Sequence, residues 1–218
     1  MNALNQRSIT ATVAISSHAL AVDVAAGNRI LRAATEATPG FYGCLAARVD
    51  RPDQAVATLR ELAGNRRMLG VLLLGRQVGA PVPRRDADEV LNAYRRYGKA
   101  VFILAPDAEA VEAGLEIARA YTMLKVVLLG MGGSSWQQAV AAAEAATNLL
   151  LDTSGSLDPA KLPYAVEALG PHRLLFGSGF PHVDPVVGLA ALDAAGFGAE
   201  AKRKVLEDNA RRLFDVEA

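Results

Sequence analysis

A chain of 218 residues, 51% hydrophobic and 21% charged, is long enough to bury a substantial core and reads as a single soluble domain spanning 1–218. Lysine plus arginine equals aspartate plus glutamate, 23 against 23, so no global field draws in nucleic acid or an anionic membrane. One cysteine, Cys44, excludes an internal disulfide framework and fits a reducing compartment.

In chain order, the opening MNALNQRSITATV lacks the basic-then-apolar pattern of a secretory signal. No apolar run reaches the roughly 18 residues of a membrane span. A cytoplasmic protein is expected. The first apolar run, SITATVAIS (8–16), is followed by FYGCLAARV (41–49), MLGVLLL (68–74) and KAVFILA (99–105). KVVLLGM (125–131), NLLLDTS (148–154) and RLLFGSG (173–179) complete the series. Each is short enough for a strand and too continuous for a half-exposed one, which predicts strands covered on both faces. Between them lie amphipathic stretches. PDQAVATLRELAGN puts Ala55, Leu59 and Leu62 on one face, and DADEVLNAYRRYG runs from acidic residues to a C-capping Gly98. DAEAVEAGLEIARAY and SSWQQAVAAAEAAT read as helices too, the second with a serine N-cap.

Strand and helix thus alternate throughout, the pattern of an α/β fold with a parallel sheet. Seven strands are one short of a closed (β/α) barrel. A doubly wound nucleotide-binding sheet is disfavoured, since no Gly-x-Gly-x-x-Gly follows the first strand. GMGGSS (130–135) could cradle an anion at a helix N-terminus, but a tight turn is the commoner use. RQVGAPVPRRDAD (76–88) is the longest irregular stretch, expected at the functional end of a barrel.

The segments KVVLLGMGGSSW, NLLLDTSGS, LGPHRLLFGSGFPHVDP and VLEDNARRLF together resemble the C-terminal half of an amidohydrolase-related barrel, the family of metal-dependent hydrolases and decarboxylases. The resemblance implies a TIM-barrel-like fold with about seven recognisable strands, the first family strand missing. It also implies a divalent metal, such as zinc, held by a His-x-His pair on strand one, histidines on strands five and six, and an aspartate on strand eight. Carried onto this sequence, the strand-five slot is Leu104, the strand-six slot falls at Met131 with its histidine absent, and the strand-eight aspartate is Gly179. No His-x-His occurs. Leucine and glycine side chains offer no electron pairs to a metal.

Polar residues at the predicted C-terminal rim remain as candidates: His18, Arg48, Arg76, Asp152, Ser178 and His182. His18, Asp152 and His182 could make a relocated metal site, although no spacing motif supports it. Rim hydrogen bonding is the more ordinary role for the two histidines. Ser178 is a nucleophile only with a base beside it. Arg48, near Asp50, and Arg76 could grip a carboxylate or phosphate, or simply be solvated. His172 precedes its strand and falls at the opposite end, and Cys44 reads as an inert buried thiol.

These residues point to a degenerate amidohydrolase-like protein, a pseudoenzyme with no cofactor. It would bind a small molecule or serve as a partner or regulatory subunit. Its expected partners are a second copy of itself or an active relative, since a barrel short of one strand exposes two sheet edges. Residues 1–7, a partner strand, or closure as a seven-stranded barrel could deal with that gap. The alternative is a metal-dependent hydrolase or decarboxylase whose metal site is relocated or completed by a partner.

Overall fold

A computed structural model describes residues 9–216. Its seven strands are β1 (Thr12–Ala14), β2 (Phe41–Arg48), β3 (Met68–Leu74), β4 (Ala100–Leu104), β5 (Val126–Leu129), β6 (Leu149–Asp152) and β7 (Leu174–Leu175). They form one sheet in sequential order, every neighbouring pair parallel. The sheet is a curled, TIM-barrel-like wall, and each of the seven predicted strands is present. Among the described residues β1 does not pair with β7, so the wall stays open at a seam there. Residues 1–7, the sequence's candidate cover for that gap, lie outside the described residues.

Side chains alternate across the wall, as the two-residue strand period requires. Ala46, Leu72, Phe102, Val127, Leu150 and Leu175 point inward and share one apolar cluster. Their neighbours Leu45, Val71, Ile103, Leu128, Leu151 and Leu174 face the surrounding helices in a second, larger cluster. Both faces are covered by apolar side chains, which is why the strands read as unbroken apolar runs.

The helices are α1 (Ser17–Ala21), α2 (Val24–Ala37), α3 (Pro52–Leu62), α4 (Arg84–Tyr94) and α5 (Ala108–Ala120). After them come α6 (Trp136–Ala145), α7 (Lys161–Leu169), α8 (Pro185–Ala194), α9 (Ala199–Arg203) and α10 (Asn209–Phe214). Asp23 and Asp107 cap α2 and α5, accepting from the N–H groups of Ala26 and Ala110 at 2.6 and 3.0 Å. The serine cap predicted for α6 is absent: Ser135 precedes the helix without capping it. Ser134 is drawn instead toward Pro106, its N–H donating to that carbonyl at 3.3 Å. Gly98 takes the left-handed conformation, φ 64°, at the end of the turn after α4, as its place in the sequence suggests.

The face at the strands' N-terminal ends is stitched by one repeated device. Lys99, just before β4, donates to the carbonyls of Ala63, Asn65 and Met68 at 2.7–2.8 Å. Asn148, before β6, donates to Ala118, Tyr121 and Leu124 at 2.9–3.3 Å. Arg173, before β7, donates to Ala143 and Ala146 at 2.8 Å, and to Leu149. In each case the residue entering one strand gathers carbonyls where the helix two units earlier turns into its own strand, some of which, such as Asn65, Tyr121 and Ala146, also accept a backbone N–H.

Two side-chain amides bond strand backbone on either side of the seam region, one on β2 beyond the end of β1 and one on β7. β1 ends at Ala14, which pairs with Gly43, so among the described residues β2 has no strand neighbour on that side beyond that point. The fully buried Asn28 of α2 substitutes for one: its Oδ1 accepts from Ala46 N–H at 2.9 Å and its Nδ2 donates to Ala46 O at 2.8 Å. On the other side Asn209 donates to the Leu174 and Pro171 carbonyls at 2.7 Å each. Phe176 N–H donates to Val205 O at 3.0 Å. Val205 lies in a π-helical turn, Lys204–Asp208, where the wider winding lets a carbonyl bond outside its own helix. Beyond it Ala210, Leu213 and Phe214 of α10 join the inward cluster, Phe214 stacking on Phe102 at 6.1 Å.

Candidate functional site

In a parallel barrel the C-terminal ends of the strands and the loops after them carry the chemistry. Here that end is aliphatic. Leu104 and Leu129 are register partners at the ends of β4 and β5. Both belong to the inward cluster together with Ile15 and Leu20. The inward place at the end of β4 is therefore a leucine packed among aliphatic neighbours.

Met131 lies elsewhere. Its backbone is left-handed, φ 51°, and its side chain is fully buried in the layer between sheet and helices, not in the interior. Gly132 beside it leaves no room for a side chain, since an added Cβ would stand 2.6 Å from Ala139 Cβ. The glycine-rich stretch is a tight turn packed between elements.

After β7 the chain passes through Gly177, Ser178 and Gly179. Gly179 has φ +70°, a region that residues with side chains seldom adopt. Gly177 is held close under β6: an added Cβ would lie 2.0 Å from Asp152 Oδ2 and 2.1 Å from Ser154 Oγ. The Thr153 hydroxyl accepts from Gly177 N–H at 3.2 Å. The turn that carries the resemblance is thus shaped by the carboxylate of the strand beside it.

Asp152 is the buried acid of this end, its residue 7% exposed. Its Oδ1 accepts from Ser154 N–H at 3.0 Å, and the Ser154 hydroxyl and Gly130 backbone also donate to it. Burial raises its pKa above the ordinary carboxylate value, and the hydrogen bonds recover only part of that shift. Asp152 thereby ties together the loops after β5, β6 and β7.

The other candidates are scattered around this end. Arg48 forks onto Asp50, Nε to Oδ1 at 2.9 Å and Nη2 to Oδ2 at 2.7 Å, and also donates to Arg76 O at 2.8 Å. The hydrogen bond from Arg48 holds the Asp50 carboxyl below its usual range, and the Arg76 side chain is exposed. The hydroxyl of Ser178 accepts from Phe180 N–H at 3.2 Å, and no hydrogen bond joins it to a histidine among the described residues. His18 is half-buried in α1, and His182 is exposed in the loop before α8. Among the described residues no three His, Cys, Asp or Glu side chains stand together as a metal-holding group. The structure therefore does not gather His18, Asp152 and His182 into the relocated centre that the sequence left open.

His172 lies in the turn before β7, at the opposite end as expected. Burial, with Arg173, Arg212 and Lys204 nearby, lowers its pKa. Cys44 is buried in β2, and burial pushes its thiol far up. Sequence reasoning missed the Asn28 and Asn209 amides, and no local signal announces them, because both partners are distant backbone. No helix among the described residues is long and apolar enough to cross a membrane.

A family model described as Amidohydrolase matches residues 9–216. Among solved structures, 5-carboxyvanillate decarboxylase from Sphingomonas paucimobilis superposes with a TM-score of 0.77 at 17% identity, over 99% of this chain and 82% of that one. A 2,6-dihydroxybenzoate decarboxylase from Rhizobium gives 0.72 at 15% identity, over 98% and 86%. A TIM-barrel protein from Bordetella bronchiseptica gives 0.81 at 18%, over 98% and 80%. At such identities the likeness shows the fold alone. The curated proteins contain no match to the sequence.

Proposed function

The chain belongs to the amidohydrolase family, and from that membership we propose that it is a member without metal-dependent chemistry of its own, acting as a small-molecule-binding or regulatory subunit. The observation that carries this reading is Leu104, register-paired with Leu129 and packed in the interior at the end where barrel chemistry sits. A catalytic divalent ion takes typically three protein ligands bearing lone pairs. The family's ligand places at this end hold a leucine and a glycine at positive φ, the one buried carboxylate is already occupied by three donors, and His18, His182 and Asp50 do not join it in a metal-holding group among the described residues. The residues present do not fit the metal that the family resemblance implies.

A 5-carboxyvanillate decarboxylase from Novosphingobium aromaticivorans, 14% identical, holds bound manganese. That metal is the natural probe. Protein expressed with zinc and manganese, and purified without chelator, should carry far less than one metal per chain by plasma mass spectrometry. Its melting temperature should not respond to chelator or to added metal. Near-stoichiometric metal with a chelator-sensitive melt would overturn the proposal.

A further inference from the structure

Two helices follow the strands that flank the seam, α2 after β1 and α8 after β7, and both turn apolar residues to solvent. α2 buries Gly27, Asn28, Leu31 and Thr35, yet Ile30 on its outer side is 55% exposed. Ala33 and Ala37 continue that exposed line at helical spacing. α8, PVVGLAALDA, is apolar around most of its circumference but buries only Pro185, Ala191 and Leu192. Val186 and Val187 are each 42% exposed, with Ala190 and Ala194 exposed beyond them. A helix apolar on all sides belongs in a covered position. α8 is covered on one side.

We propose that these two faces form one interface used twice: α2 of one copy packs antiparallel on α8 of a second copy, and the reverse, in a two-fold dimer across the seam. The proposal stands independently of the metal-free reading. Helices around a parallel barrel all run opposite to the strands and so parallel to one another. An antiparallel α2–α8 contact is therefore available only between molecules. That alignment also sets large residues against small ones. Ile30 meets Ala190, and Val186 with Val187 meets Ala33 and Ala37, the interdigitation that close helix packing needs.

Charge agrees with the same alignment. Antiparallel packing brings exposed Arg29 beside Asp193 of the copy, which is 61% exposed and paired within its own chain to Lys202. A net charge of zero adds no repulsion between copies. A strand from elsewhere is the weaker occupant on the β7 side, because Asn209 and Val205 already bond the backbone of Leu174 and Phe176 there. What this region lacks among the described residues is cover for helix faces.

Sedimentation velocity over a concentration series tests the interface. The wild type should form dimers. Ile30→Asp and Val187→Asp should each weaken association by about tenfold or more, with the circular dichroism spectrum unchanged. A wild type monomeric at every concentration, or a dimer indifferent to both changes, overturns the proposal. Should the aspartate variants fail to fold, the double variant Ile30→Cys with Ala190→Cys decides, since native Cys44 is buried. A disulfide-linked dimer on a non-reducing gel supports the interface. Absence of the link, or a link closed within one chain, overturns it.

Discussion

Asp152 and Gly177 show how one side chain fixes the shape of the turn beside it. The carboxylate and the Ser154 hydroxyl occupy the space that any Cβ at position 177 would need, so glycine there answers to packing. The acid sits in that space without a salt-bridge partner among the described residues, held by hydrogen bonds alone. Its folded-state pKa is raised. Its contribution to stability is therefore full below the unfolded value of about 4 and is lost as pH rises through the folded value. Asp152→Asn keeps the shape and removes the titration. The stability of the wild type relative to this variant, from denaturant melts at a series of pH values, should fall between acid and neutral pH. A constant difference would mean that Asp152 titrates normally. At this scale Leu104 was legible, since its place in an apolar strand sets its direction. Met131 was not, because a left-handed residue after β5 turns its side chain to the other side of the sheet.

At the scale of elements, all seven strands were legible because burial on both faces makes each an apolar run with polar ends. Helices α3 to α6 were legible from one-sided periodicity. α8 was not: nearly apolar all round, it carries no contrast between faces. The clamps before β4, β6 and β7 were also invisible, since a lysine, an asparagine and an arginine do the same work on carbonyls 24 to 36 residues away. Each clamp sets N–H donors against the negative end of a helix dipole and gives several carbonyls there a shared partner. Lys99→Met retains most of the aliphatic stem and removes the donors, leaving the carbonyls of Ala63, Asn65 and Met68 without this partner. A loss of about 2–3 kcal/mol is expected by denaturant melts. Lys99→Arg should recover most of it, because a guanidinium does this work before β7. Equal losses for methionine and arginine would show that the stem, not the donors, matters.

For the whole molecule, the open question of an unclosed parallel sheet is what becomes of its edges. Exposed edges invite pairing with other chains, and buried unpaired backbone groups cost about 1–3 kcal/mol each. This fold answers with two asparagines, one toward each end of the chain: Asn209 bonded to the edge strand β7, and Asn28 bonded to β2 where β1 stops short along it. Asn28 serves both polar groups of Ala46, and Asn209 serves the carbonyls of Leu174 and Pro171. The second tie has the wider reach, because it anchors the segment that sends Leu213 and Phe214 into the barrel interior. Asn209→Leu has similar volume and no donor, so it should cost about 2–4 kcal/mol. It should also loosen the C-terminal end before the rest. Hydrogen exchange distinguishes this from a uniform loss: the Phe176 amide, bonded to Val205 O, should lose protection while the amides of β3 and β4 keep theirs. If protection fell equally everywhere, α10 would be an integral part of one cooperative barrel. If only Phe176 and its neighbours opened, α10 would be a separable plug, and the seam would be where this barrel first comes apart.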